Sequence, residues 1–190
     1  MVACDDGYVK KLGQGYTIVS CIYWNLDKGP LASSSRPVRI DGLDASSIIA
    51  GIIQRLRLSG LKPEVLLLDS VTIAGFNVVS PSTIERVADV PTVIVYKYKP
   101  SLERLLKPLR KKFGDWKLRA RVVAIVSEAR EVETLRGKLY VILWGLSASE
   151  ALALVDRLQL YSRIPEPLRM AHYLASSTSR LFDLGAQHGC

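Results

Sequence analysis

Acidic residues are scarce in this chain, 18 Asp and Glu against 26 Lys and Arg, so their placement is informative. Asp5 and Asp6 close a short opening strand. Asp41 and Asp44 stand at a strand-to-helix corner, and Asp69 ends the apolar run EVLLLD. A carboxylate at the end of a buried strand is costly to desolvate unless it meets a cation. Strand ends in a parallel sheet converge on one edge, where several carboxylates would repel one another. A divalent metal resolves that repulsion, and hard Mg²⁺ or Mn²⁺ takes such oxygen ligands. Local roles compete with this chemistry. Asp at a turn or a helix N-cap satisfies backbone N–H groups, which suits Asp41 and Asp44 equally well. Asp69 is the strongest metal candidate, because LLLDS gives it no following Gly of the kind that follows Asp6 and Asp41.

The elements that must position these acids alternate between strand and helix. GYTIVSCIYW (15–24) reads as a long strand, residues 29–35 as a Gly-, Pro- and Ser-rich loop, and RPVRI (36–40) as a further strand. DASSIIAGIIQRLRL (44–58) has helical spacing, with Asp44 at the N-cap position and Gly60 past the far end. EVLLLD (64–69) and PTVIVYKY (91–98) are apolar enough for strands buried on both faces. KLYVILWGL (138–146) is another strand. Helices are predicted at 81–88, at 101–113 with Pro108 as a break, at 115–129, at 147–161 behind a Ser147–Glu150 capping box, and at 165–179. Residues 181–190 read as a frayed tail. The sum is one α/β domain over residues 1–180 with a mixed sheet.

Composition excludes several classes. With 190 residues and 48% hydrophobic content the chain can bury a full-sized core, which rules out a disordered tail protein. No basic segment leads into an apolar one at the start, and no run of about 18 apolar residues exists, so neither a signal peptide nor a membrane partner is expected. Cys4, Cys21 and Cys190 lack CxxC spacing and are expected to be three free thiols in a cytoplasmic protein rather than zinc ligands or a disulfide framework. The net charge of +8 favours a polyanionic partner. Ten Lys and Arg against two acids lie between Lys97 and Arg121. Such a run is either a solvated helix face or a footprint for a nucleic-acid backbone, with Lys111 and Lys112 at its centre.

The motifs then point to a family. VLLLDSVTIAGFNVV followed by DVPTVIVYK resembles the central segment of endonuclease V, in which an apolar strand ends in Asp, a Gly-containing loop follows, and a later strand ends in Lys. SRIPEPLRMAHYLAS resembles that family's last catalytic helix, and DDGY its first strand. The chain is still more similar to a small archaeal family related to endonuclease V. That family's marks are a DDG start, a V-x-DGLDA corner, an LD-x-x-T-x-AGFNVV strand exit and SRIPEPLR-x-AH, and all four stand here across most of residues 3–175.

The resemblance implies an RNase H-like fold, with a five-stranded mixed sheet, the first three strands antiparallel, flanked by helices. It also implies a metal-dependent endonuclease acting on DNA at a deaminated base in a repair role, deoxyuridine before deoxyinosine, with RNA the alternative partner. A monomer is expected. Residue by residue, Asp5 matches the first-strand carboxylate, with Asp6 beside it. Asp69 matches the fourth-strand carboxylate, Lys97 the phosphate-facing lysine, and His172 the helix position completing the metal site. The Glu that precedes the first long helix in endonuclease V is best matched by Asp44, with Asp41 as rival. The PYIP wedge and the His-rich inosine loop of endonuclease V are replaced here by RPVRIDG and SVTIAGFNVV, which argues against deoxyinosine. Loop 70–79 is expected to form part of a base pocket, with Gly75 allowing close approach and Phe76 either stacking on a base or packing in the core. Arg163 and Arg169 are candidate phosphate contacts, and Arg169 also has the spacing to pair with Glu166. His188 is given no role.

Overall fold

The computed structural model describes residues 1–9 and 12–188. Strands β1 (Val2–Asp6), β2 (Tyr16–Asn25) and β3 (Gly29–Arg39) are followed by helix α1 (Ala45–Leu58) and strand β4 (Leu66–Leu68). A small hairpin, β5 (Thr72–Ile73) and β6 (Asn77–Val78), leads to α2 (Pro81–Ala88) and β7 (Thr92–Tyr96). Then come α3 (Leu102–Lys112), α4 (Trp116–Val123), β8 (Arg130–Val132), β9 (Leu139–Trp144), α5 (Ala148–Leu158) and α6 (Glu166–His188).

The main sheet has seven strands rather than five, in the order β3-β2-β1-β4-β7-β9-β8. β1, β2 and β3 are antiparallel neighbours, and β4 and β7 continue parallel to β1. The two extra strands, β9 and β8, extend the sheet antiparallel beyond β7. β8 escaped the sequence reading because its three residues, Arg-Glu-Val, carry no apolar run and owe their strand to pairing with β9.

The predicted loop at 29–35 is a strand. Ser33, Ser34 and Ser35 pair with Ile22, Cys21 and Ser20, and the Ser20 and Ser35 hydroxyls hydrogen-bond at 2.7 Å. Cross-strand partners override weak intrinsic preference, and the edge position tolerates Pro30 and Pro37. Helix α3 runs through Pro108 without stopping. The helix expected at 115–129 ends at Val123 and tightens into a 3₁₀ turn over Ala124–Glu128. Ser147 and Glu150 do form the capping box of α5. The backbone of α6 is helical to His188, so the frayed tail expected there is helix up to that residue.

Alternation along the strands divides the core in two. Val2, Cys4, Leu66, Leu68 and Ile94 face α1, α2, α3 and α4, while Ala3, Leu67, Val93 and Val95 face α5 and α6. Cys4 and Cys21 are register partners on the first of these faces and are joined by a disulfide, with Cα atoms 4.1 Å apart. The expectation of free thiols fails for these two, because strand register, not sequence spacing, brings them together. Cys190 lies outside the described residues. No helix among the described residues is long and apolar enough to cross a membrane.

Candidate active site

The same alternation places the acids. Cys4 pairs with Leu68 and Leu68 with Ile94. One step further along these parallel strands brings Asp5, Asp69 and Val95 into one row. Asp5 follows Ala3 onto the α6 side of the sheet, and Lys97 follows Val95. Helix α6 lies across this row and sets the His172 ring against it. His172 Nδ1 lies within hydrogen-bond distance of Asp5 Oδ2, at 2.8 Å. Asp5 Oδ1 accepts the Asp6 amide at 2.7 Å. A cavity of about 320 Å³ opens here, with Asp5, Asp69, Lys97, Arg169 and His172 as its polar floor and Val95, Ile164 and Leu168 as an apolar wall.

Gly7 explains how α6 comes so close. A Cβ at residue 7 would collide with the Ala175 carbonyl and the Ser179 hydroxyl. Ser179 Oγ also accepts the Tyr8 amide at 2.7 Å. The DDG triplet is therefore two carboxylates followed by the one side chain small enough to let the helix dock.

Electrostatics mark the group. Asp5 is 4% exposed. Burial, then the neighbouring Asp69 and Asp6 carboxylates, push its pKa up to about 9. Burial raises Asp6 to about 6 against the stabilising Ala74 amide. Asp69 is also raised by burial, with the positive charge of His172 pulling it back. Three carboxylates whose charged forms are all disfavoured is the signature of a site short of positive charge.

The other predicted acids fall on the opposite side. Asp6 turns away from α6, and its Oδ2 accepts the Ala74 amide at 2.8 Å. Asp41, at φ +56°, accepts the Phe76 amide on Oδ1 at 2.7 Å and donates its own N–H to the Ala74 carbonyl. Asp44 accepts from Asn77 Nδ2 and, at 3.4 Å, from the Arg39 amide, and its side chain caps no amide of α1. The five acids and His172 thus split. Asp5, Asp69 and His172 share the cavity, Asp6 bridges to the loop behind, and Asp41 and Asp44 hold the 74–77 turn in shape. Among the described residues, no three His, Cys, Asp or Glu side chains stand in a ready metal-holding arrangement.

Gly75 has φ +84°, and a Cβ there would meet Asp41 Oδ1, so the glycine serves the turn. Phe76 packs against Phe113, ring centroids 5.6 Å apart, and belongs to the edge of the core. Lys97 and Arg169 reach the cavity, Arg169 while paired with Glu166 at 2.8 Å. Arg163 instead donates to the Lys138 carbonyl at 3.1 Å and lies over the Tyr98 ring. Lys111 and Lys112 are exposed at the end of α3.

Two residues escaped the sequence reading. Tyr96 Oη accepts the Val71 amide at 3.0 Å behind Asp69. Arg119, 5% exposed, donates to the carbonyls of Gly42 at 2.8 Å and Phe76 at 2.6 Å and to Asp115 at 2.9 Å. It ties α4 to both loops behind the carboxylates. In sequence it is one of ten basic residues in a run, and nothing singles it out.

Known proteins share this chain's sequence pattern and fold. A UPF0215 protein of Aeropyrum pernix is 50% identical over 182 residues, covering 94% of this chain and 97% of that protein. The crystal structure of a protein from Archaeoglobus fulgidus superposes with a TM-score of 0.79 at 25% identity, covering 93% of this chain and 96% of the other. Endonuclease V of Ciona intestinalis, solved with a DNA containing an inosine, shares the fold with a TM-score of 0.61 at 14% identity, covering 96% and 85%. The family model described as endonuclease dU matches residues 1–179, and the chain belongs to that endonuclease family.

Proposed function

We propose that this protein is a metal-dependent endodeoxyribonuclease of RNase H-like fold that hydrolyses a phosphodiester near a deaminated base, deoxyuridine before deoxyinosine. The observation that carries the reading is the Asp5–Asp69 row under α6. Two carboxylates with raised pKa values face His172, Lys97 and Arg169 across one cavity. The donor set fits a hard divalent cation such as Mg²⁺ or Mn²⁺, since oxygen ligands dominate and their repulsion calls for positive charge. Asp5 and Asp69 would hold it, with His172 completing the set. Such an ion supplies Lewis acidity at the phosphate and a more acidic water.

The protein's own groups do the remaining work. Lys97 and Arg169 neutralise the phosphate and orient it over the carboxylates. His172 Nδ1 hydrogen-bonds Asp5 Oδ2, and a proton resting on Oδ2 must leave before Asp5 can serve as a charged ligand. Ile164 and Leu168 exclude water from one wall of the cavity and give a displaced base an apolar surface. The basic face of α3 and α4 supports DNA as the partner. The family name and a DNA-bound structural neighbour support the same reading.

A second reading is favoured by one observation. Asp44, matched to the endonuclease V glutamate, is engaged by Asn77 rather than turned to Asp5 and Asp69. A module that binds nucleic acid without cutting it would have that feature. Incubating end-labelled oligonucleotides carrying uracil, inosine or no lesion with Mg²⁺, Mn²⁺ or EDTA separates the two. Metal-dependent nicking beside uracil, abolished in Asp69→Ala, supports the enzyme, and binding without nicking supports the module.

A further inference from the structure

Three exposed tyrosines surround the carboxylate edge, and each carries a cation over its ring. Tyr8, 50% exposed, follows Gly7 at the end of β1, and Arg180 Cζ lies 5.9 Å from its centroid. Tyr98, 69% exposed, follows Lys97 beyond β7, with Lys97 Nζ at 5.5 Å and Arg163 Cζ at 5.6 Å. Tyr173, 59% exposed on α6, lies beside His172 at the cavity, with Arg169 Cζ at 5.8 Å. Single exposed aromatics need no explanation. Three that share one edge, each within cation–π range of a Lys or Arg, do.

The topology orders them. β1, β4 and β7 are adjacent and parallel, so Tyr8 and Tyr98 leave the same edge on either side of Asp69. Neighbouring strands stand about 4.8 Å apart, which places the two exits roughly 10 Å from one another. Stacked nucleotides rise about 3.4 Å each, so that gap corresponds to about three. Tyr173 lines the cavity that also holds Asp5, Asp69 and Lys97.

We propose that Tyr8, Tyr98 and Tyr173 form a stacking track for a nucleic-acid strand with unpaired bases, laid across the Asp5–Asp69 edge. This deepens the nuclease reading, on which it rests for the fate of the strand, by naming the substrate class. Exposed rings flanked by cations match such a strand at both of its surfaces. The rings take base faces, which a duplex hides, and Arg180, Lys97, Arg163 and Arg169 take the phosphates that the carboxylates would otherwise repel.

The test is binding without catalysis. Fluorescein-labelled single-stranded DNA and RNA of one sequence, and the matched DNA duplex, are titrated with protein in EDTA. The single strands of either sugar should bind more tightly than the duplex. Tyr8→Ala, Tyr98→Ala and Tyr173→Ala should each weaken single-strand binding by about 5- to 100-fold. The Tyr→Phe variants should bind as the wild type, and all six should keep the wild-type Tm because the rings are exposed. Equal affinity for the duplex, or Tyr→Ala variants that bind single strands normally, would overturn the proposal. A protein that binds in this pattern but cuts nothing with Mg²⁺ or Mn²⁺ loses the nuclease reading and keeps the track.

Discussion

Asp5 Oδ2 and His172 Nδ1 meet at 2.8 Å although 167 residues separate them in the chain. That contact joins the first strand to the last helix and closes one side of the cavity. Asp5→Asn should keep the fold, since the amide still hydrogen-bonds the imidazole, while removing the charge a cation needs. Cleavage in single-turnover assays should fall by at least about 100-fold. His172→Ala should cost less, about 10- to 100-fold, because one of several donors is lost.

The raised carboxylates make metal-free stability depend on pH. The ordinary Asp pKa is about 3.9, whereas folded Asp5 sits at about 9 and Asp6 at about 6. Between those values the folded state holds protons that the unfolded state has released. This contribution to stability is therefore present at acid pH and is lost as pH rises through 6 and then 9. In EDTA, Tm should drop from pH 5 to pH 9 more in the wild type than in Asp5→Asn. Mn²⁺ should restore Tm, more strongly at pH 9 than at pH 5, because fewer protons must be displaced there.

Gly7→Ala tests the docking of α6. The added methyl meets the Ala175 carbonyl and the Ser179 hydroxyl. Overpacking of this kind costs about 1–3 kcal/mol, read as a lower urea midpoint.

Arg119→Met leaves the carbonyls of Gly42 and Phe76 without their guanidinium donor. The expected loss is about 1–3 kcal/mol in chemical denaturation. Faster amide exchange should follow at Phe76, whose N–H is held by Asp41 in the same turn.

Lys111→Glu and Lys112→Glu address the basic face. Both residues are exposed at the end of α3, so Tm should not change. Affinity for duplex DNA should fall, and each substitution should reduce the slope of log K against log salt by about 1. An unchanged slope would place the duplex elsewhere on the molecule.

Much of this architecture was legible in the residues. The apolar runs of β4 and β7, the helical spacing of α1 and the Ser147–Glu150 cap are local signals, and local physics decides them. Residues 29–35 of β3 and the whole of β8 were not, because their strand state comes from partners rather than from their own residues. The acids show the same division. Asp69 stood out as the unaided carboxylate of a buried strand, and it lines the cavity. Asp41 and Asp44 suited two roles in the sequence, and the structure gives both a local one through Phe76, Asn77 and Arg39. Arg119 and the Cys4–Cys21 bond depend on tertiary register alone.

The central claim is that the Asp5–Asp69 row is a divalent-cation centre that cuts nucleic acid. The direct measurement follows Mn²⁺ binding by electron paramagnetic resonance and nicking of a uracil-containing oligonucleotide in the same samples. In the wild type, nicking should rise with bound Mn²⁺ and saturate with it. In Asp5→Asn and Asp69→Asn both signals should vanish together. Nicking that persists in EDTA, or in variants that bind no Mn²⁺, would contradict the claim.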